Sequence, residues 1–348
     1  MKLKYFRYSQ NKGMSLIELL IAMTIGMLLM LGAVTLFSNN KRIYREVNSM
    51  GRLQENARFA IEILIRDIRM AGYAGCADNI TNVDNHLNNA SDDDKLYSFE
   101  NAIEGSENAA NWQPSNSTDQ VANIAAGTDA ITIRYLKPSG ITMLSPYMTV
   151  SSATVHVNTG NGLAKDDIVA VTDCSDADIF AVTNANSDTS GSVVHNSGAG
   201  TPGNATKPLS KTYADDAQFL RLVSRRYYID DADGDGVTSL YRLENAETTG
   251  TELIEGVERM EILYGVDNTS DTVADSYVNA AGVTAAGGWG NVVSVQIALL
   301  FQTIRQNFNS PLNENTYTLL NSAAYDPVDD HRRRRIVTNT VQIRNRSN

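Results

Sequence analysis

Four histidines, His86, His156, His195 and His331, are all that the 348 residues contain, and they fall in separate segments that read as loops and strands. The strings HExxH, GxxxxGK[ST] and GxSxG do not occur, so the common signatures of zinc peptidases, phosphate-loop NTPases and serine hydrolases are missing. The two cysteines, Cys76 and Cys174, form no CxxC, which removes the usual spacing of a redox dithiol. The chain reads as a non-enzyme. Seven prolines are present, but none lies between Met14 and Ala74, so nothing there breaks a long helix. Long tracts of disorder-type composition and internal repeats are also lacking. At 42% hydrophobic and 20% charged residues the balance is globular, and the length allows one large domain or two modest ones.

What the chain does have is an apolar run of about 24 residues, 14–37, long enough to cross a bilayer. Glu18 is the one charge inside it. A carboxylate at membrane depth costs roughly 2.5–3.5 kcal/mol on insertion scales, so it usually has a partner and a function. The net charge of -11 is spread unevenly. Residues 1–13 carry Lys2, Lys4, Arg7 and Lys12 against no acid, +4; residues 14–37 carry -1; residues 38–75 carry +3; residues 76–348 are left with -17. The positive-inside rule places the basic leader 1–13 in the cytoplasm and everything after Phe37 across the membrane. An acidic head is a poor non-specific binder of nucleic acid. A secretory signal fits less well, because the run is too long for its apolar core and no small-residue cleavage site follows. A plain uncleaved anchor is the alternative that the apolar run alone allows.

Past the membrane, apolar residues recur at Ile43, Val47, Met50, Leu53, Ala57, Ile61, Leu64, Ile68 and Ala71. Those steps of three and four predict one helix face, with Arg45, Arg52, Glu55, Arg58, Glu62 and Arg66 mostly on the other. The two halves, 14–37 and 38–75, read as one helix ending near Gly72 and Gly75. After Cys76 the texture changes. Residues 77–128 read as loop with a short helix. Strands are predicted at 130–136, 149–157, 168–172, 179–183, 220–229, 237–243, 253–265, 292–302 and 336–344. Residues 184–208 read as a polar, mobile surface loop. The fold class is α+β: a long N-terminal transmembrane and amphipathic helix packed on a mainly antiparallel β head, 76–348, shaped like a lollipop.

The string Gly13-Met14-Ser15-Leu16-Ile17-Glu18 with its apolar run resembles the processing segment of a type IV prepilin. The blocks Arg52–Ala60 and Arg66–Cys76 resemble the PilW family of minor type IV pilins. So do Arg226–Ile229, Leu240–Arg242, Leu253–Val257, Tyr264–Asp267 and Val341–Asn345. The likeness touches both ends and the middle, and is weak over 77–220. Met14 departs from the family, where phenylalanine is usual. The resemblance implies that prepilin peptidase cuts between Gly13 and Met14 and methylates the new amine. It further implies an inner-membrane precursor with a periplasmic head that joins the pilus, near its tip, through an assembly platform. Its partners would be other minor pilins, the major pilin and a tip adhesin. The output would be primed pilus assembly, and through it twitching motility, adhesion or DNA uptake.

In that setting Glu18 of one subunit would meet the Met14 amine of another, each removing the other's desolvation problem. In an oxidising envelope Cys76 and Cys174 are most simply one disulfide; two free buried thiols are the alternative. Asp231, Asp233, Asp235 and Gly236 have the DxDxDG spacing of a calcium loop, with Glu244 as a substitute ligand. No cofactor is required, and an acidic hairpin turn without metal is the other reading. The run His331–Arg335 reads as a solvated entry to the last strand, or as a contact for an acidic partner. Two rival functions remain: a minor pseudopilin of type II secretion, and a tip-located binding module.

Overall fold

The computed structural model describes residues 13–76, 83–88, 96–108, 124–198, 200–308 and 310–346. Residues 1–12 of the leader 1–13 and much of the 77–128 stretch lie outside them. Helix α1, Leu16–Met70, runs 55 residues, about 82 Å at 1.5 Å per residue. It ends where Ala71 leaves helical geometry and Gly72 turns to a left-handed φ of 71°. Its buried residues, Leu53, Ala57, Ala60, Ile61, Leu64, Asp67 and Ile68, keep the expected three-and-four spacing. The predicted stripe began earlier, at Ile43 and Val47, but these are 53% and 66% exposed. The head reaches back along the helix as far as Glu46, which pairs Arg333, but it does not cover Ile43 or Val47.

Two sheets share the core with α1. The larger contains β1 (Val83–Asn85), β2 (Ile103–Ser106), β3 (Ala130–Thr142), β5 (Ile168–Thr172), β6 (Ala177–Ala181) and β8 (Gln218–Asp230), in the order β1-β6-β5-β8-β3-β2. The far half of β8 also pairs β9 (Ser239–Glu244), which pairs β10 (Thr251–Glu255). The smaller sheet runs β12-β11-β13-β14 through Ser276–Val278, Val257–Val266, Val292–Gln302 and Arg334–Gln342. Short strands β4 (Val155–His156) and β7 (Ser192–Val193) form a separate ribbon. All these pairings are antiparallel except β1 with β6. Leu64 and Ile68 of α1, Ile133 and Tyr227 of the larger sheet, and Ile262 and Ile297 of the smaller lie in one hydrophobic cluster. Strand β13 reads as an almost continuous apolar run because its other face is covered too, Ala298 and Leu300 packing on Leu319.

Several expectations shift. The predicted strand 253–265 is two strands in two sheets. Gly256, at φ 87°, makes the corner, and a Cβ there would lie 2.8 Å from the Gln302 carbonyl oxygen. The strand predicted at 149–157 survives only as Val155–His156, since Ala153 N–H turns back to Val150 and no long neighbour lies beside it. The segment 184–208 is not simply a surface loop: Val193, His195 and Asn204 are buried. Strand β3 extends past its predicted end, passing Pro138 and Gly140 by a register shift.

The disulfide forms: Cys76 bonds Cys174 across a sequence separation of 98. It ties the chain leaving α1 to the turn between β5 and β6. Close by, Asp178 of β6 is fully buried and accepts from His86 Nε2, Ser210 N (2.9 Å), Ser210 Oγ (2.7 Å) and Tyr213 Oη (2.5 Å). Burial opposes its ionisation, but the bonds from His86, Tyr213 and Ser210 outweigh it and hold the carboxyl below its usual range. An unfolded aspartate, near 3.9, therefore takes up its proton before the folded one does. The stabilisation is complete above about pH 4 and is lost as pH falls further. Asp178→Asn is expected to cost about 1–3 kcal/mol near neutrality. Thermal melts of both proteins should converge below about pH 4; a gap that stays constant with pH would refute the ionised hub.

Candidate functional site

The first turn of α1 is built by its own sequence. Ser15 is the N-cap, at φ -76° and ψ 151°, and its Oγ accepts the Glu18 N–H at 3.3 Å. Ser15-x-x-Glu18 thus has capping-box spacing, and the acid sits where the helix macrodipole favours negative charge. Gly13 and Met14 precede the helix. A Cβ at Gly13 would meet nothing within 4 Å among the described residues, so the fold itself does not ask for glycine there.

Beyond the cap, the helix is apolar and bare. Leu16, Met27 and Phe37 are 78%, 70% and 72% exposed. An 18-residue window reaches a mean hydropathy of 2.4 with none of it buried. Its hydroxyls are satisfied locally: Thr24 Oγ1 donates to the Ile21 carbonyl and Thr35 Oγ1 to that of Leu31, both at 2.8 Å. An apolar helix with no unpaired hydroxyl suits hydrocarbon, either lipid or neighbouring helices.

The second half is pinned to the head by polar contacts that sequence reasoning missed. Asp67 is 2% exposed, on the apolar face. Arg225 Nη1 donates to both its oxygens, at 3.1 and 2.9 Å, and Tyr227 Oη donates to Oδ2. Arg225 Nε also reaches Glu244 Oε2 at 2.8 Å, and its guanidinium lies 5.8 Å from the Tyr135 ring centre. Burial, then the Asp67 charge, pushes the Tyr227 phenol well above its ordinary range, so it stays a donor. Asn345 Nδ2 donates to the Ala71 carbonyl at 3.1 Å, and Asn56 Nδ2 to that of Glu255 at 2.9 Å. The blocks at 66–76, 226–229 and 341–345, far apart in sequence, therefore meet at one junction. The available signal was an acid three residues after Leu64, on a face otherwise apolar.

The other candidates separate. Asp231, Asp233 and Asp235 bring carboxylate oxygens within 4.8 Å of one another in the β8–β9 turn. Each also accepts a backbone N–H of the turn: Asp231 from Gly236, Asp233 from Asp235 and Asp235 from Val237. That geometry serves a calcium loop and a metal-free acidic turn equally. Glu244 does not join them, because its carboxylate is taken by Arg225. The basic run is largely paired within the fold. Arg332 donates to the Thr303 carbonyl at 2.7 Å, Arg333 pairs Glu46 of α1 at 3.0 Å, and Arg334 pairs Glu258 at 2.6 Å and Asp330 at 2.8 Å. The histidines do not converge: His86 serves Asp178, His195 lies between the Ala153 and Lys207 carbonyls, and His331 contacts that of Ser310.

Asp67→Ala leaves Arg225 and Tyr227 facing a buried vacancy and is expected to cost about 3–5 kcal/mol, with Asp67→Asn milder. Combined with Tyr227→Phe the loss should fall short of the sum. Urea melts in detergent measure it, and an Asp67→Ala loss under about 1 kcal/mol would remove the pin.

Residues 8–34 match the prokaryotic N-terminal methylation motif, and residues 226–345 match the PilW family of type IV pilus-assembly proteins. No curated protein matches the chain. A type IV-like pilin, TTHA1219 from Thermus thermophilus, is similar at 10% identity and a TM-score of 0.34, over 85% of this chain and 98% of that one. The chain thus carries a prepilin methylation motif at its start and a region similar to the PilW type IV pilus-assembly proteins, and that region builds its smaller sheet and closes its stalk junction.

Proposed function

We propose that this protein primes assembly of a type IV pilus as a minor pilin, and through the pilus supports twitching motility, adhesion or DNA uptake. The observation that carries the reading is the division of one unbroken helix. Residues 16–37 are bare and almost wholly apolar, while the stretch from Leu53 is locked to the head. Such a subunit can exchange lipid for neighbouring helices without refolding its head. Ile43 and Val47 extend the uncovered stripe beyond the membrane segment, where adjoining subunits would seat.

In this reading the leader is cytoplasmic and the head periplasmic until the subunit enters the pilus near its tip. Prepilin peptidase cuts between Gly13 and Met14, just ahead of the Ser15 cap, where the chain is not yet helical and is open to a protease. The methylated Met14 amine of one subunit then pairs Glu18 of another, each charge lowering the other's cost in an apolar core. The partners are other minor pilins, the major pilin, a tip adhesin and the inner-membrane platform.

An in-frame deletion is expected to reduce sheared surface pili while leaving type II secretion intact in the same culture. Glu18→Ala should be processed and inserted normally yet be depleted from sheared pili at least about tenfold, the equivalent of about 1.4 kcal/mol. Normal pili with lost secretion would move the protein to the pseudopilins. Unchanged pili and secretion would leave the head as an accessory binding module.

A further inference from the structure

Three carboxylates that the assembly role does not use converge at the seam between the two sheets. Glu107 follows the last residue of β2, Asp129 precedes the first of β3, and Glu261 lies within β11. Each offers an oxygen within 4.8 Å of the others. Three oxygens at that limit lie about 2.8 Å from their common centre, so a small side-chain shift brings all three onto one calcium ion at about 2.3–2.6 Å. Asp129 and Glu261 are 2% and 4% exposed, and Glu107 is half-buried. Arg259 Nη2 pairs Glu261 at 3.0 Å and offsets one charge; with all three acids ionised, two negative charges remain.

A second observation points the same way. Tyr264 of β11 is fully buried, and its Oη has no hydrogen-bond partner. A Cβ at Gly105 would collide with that oxygen and come within 3.1 Å of the Ala130 carbonyl, so the phenol tip sits where β2 and β3 lead into Glu107 and Asp129. Burial first, then the charges of Asp129, Glu107 and Glu104, push this phenol well above its ordinary range. Glu107 Oε2 is a second buried oxygen without a partner.

We propose that Glu107, Asp129 and Glu261 hold a hard divalent cation of the calcium class between the two sheets. The donors are all oxygen, with no imidazole or thiolate to favour zinc or copper. Asp129 already accepts N–H bonds on both oxygens, from Asn108 at 3.1 Å and Ile262 at 2.8 Å. The remaining lone pairs give an irregular set, which calcium tolerates and the octahedral demand of magnesium does not. A cavity of about 150 Å³, lined by Glu107, Glu261, Tyr277, Asn279 and Ser322, supplies the entry path and room for coordinating water. The bound ion would cross-link the larger sheet, through Glu107 and Asp129, to the smaller one, through Glu261.

Terbium tests this directly, because Tyr277, which lines the same cavity as Glu107 and Glu261, can sensitise its emission. The full chain in detergent, carrying D231N, D233N and D235N to silence the acidic turn, is stripped with chelator and titrated with Tb3+. Saturable emission displaced by Ca2+ is expected, with a Ca2+-dependent rise in Tm of roughly 3 °C or more. Adding Glu107→Gln at the half-buried position should abolish both while the protein still melts cooperatively in chelator; Asp129→Asn should act likewise. Emission and Tm indifferent to the metal, or unchanged by Glu107→Gln, would overturn the site.

Discussion

The carboxylate of Asp67, carried into the head on an otherwise apolar helix face, sets how the rest of the molecule is arranged. A buried charge is tolerated only when its partners arrive in register. Arg225 and Tyr227 sit two residues apart on one face of β8, so satisfying Asp67 fixes both the rotation of α1 and its position along the strand. The apolar stripe alone would allow sliding, since Leu, Ile and Ala contacts are not directional. With Asn345 closing the last carbonyls of the helix and Cys76 bonded to Cys174 just beyond it, the stalk leaves the head at a defined place.

That arrangement separates two environments along one helix. From Leu53 onward the burden of burial falls on the head; before Val47 it falls on whatever surrounds the protein. The transition needs no kink, because no proline interrupts the helix and Gly51 is accommodated in its interior. The head is two sheets rather than one, joined at the Gly256 corner and around a shared core. The acidic seam of Glu107, Asp129 and Glu261 lies where those sheets meet, the natural place for an ion to act as a cross-link.

Much of this was legible in the residues. The apolar run and the three-and-four spacing beyond it define α1 almost to its ends, because helical periodicity is a local property. Strands β5 and β13 coincide with their expected ranges, and β8 nearly so, since alternating or continuous apolar runs bounded by turn residues are local signals too. The prepilin string named the class of protein for the same reason: its recognition elements are contiguous.

The remainder depended on partners distant in sequence. Nothing near residue 256 tells that one apolar run serves two sheets; the approach of the Gln302 carbonyl decides it. The arginines after His331 look like an exposed basic patch until Glu46, Glu258 and Asp330 are placed beside them. Glu244 looks available for calcium until Arg225 takes it. By itself the sequence determined a membrane-competent helix, its amphipathic continuation, a β-rich head and a processing signal, because periodicity and short motifs act over a few residues. Only the tertiary structure decided which charges are spent within the fold and which are left facing one another, because ion pairing and burial are set by groups that the chain brings together from far apart.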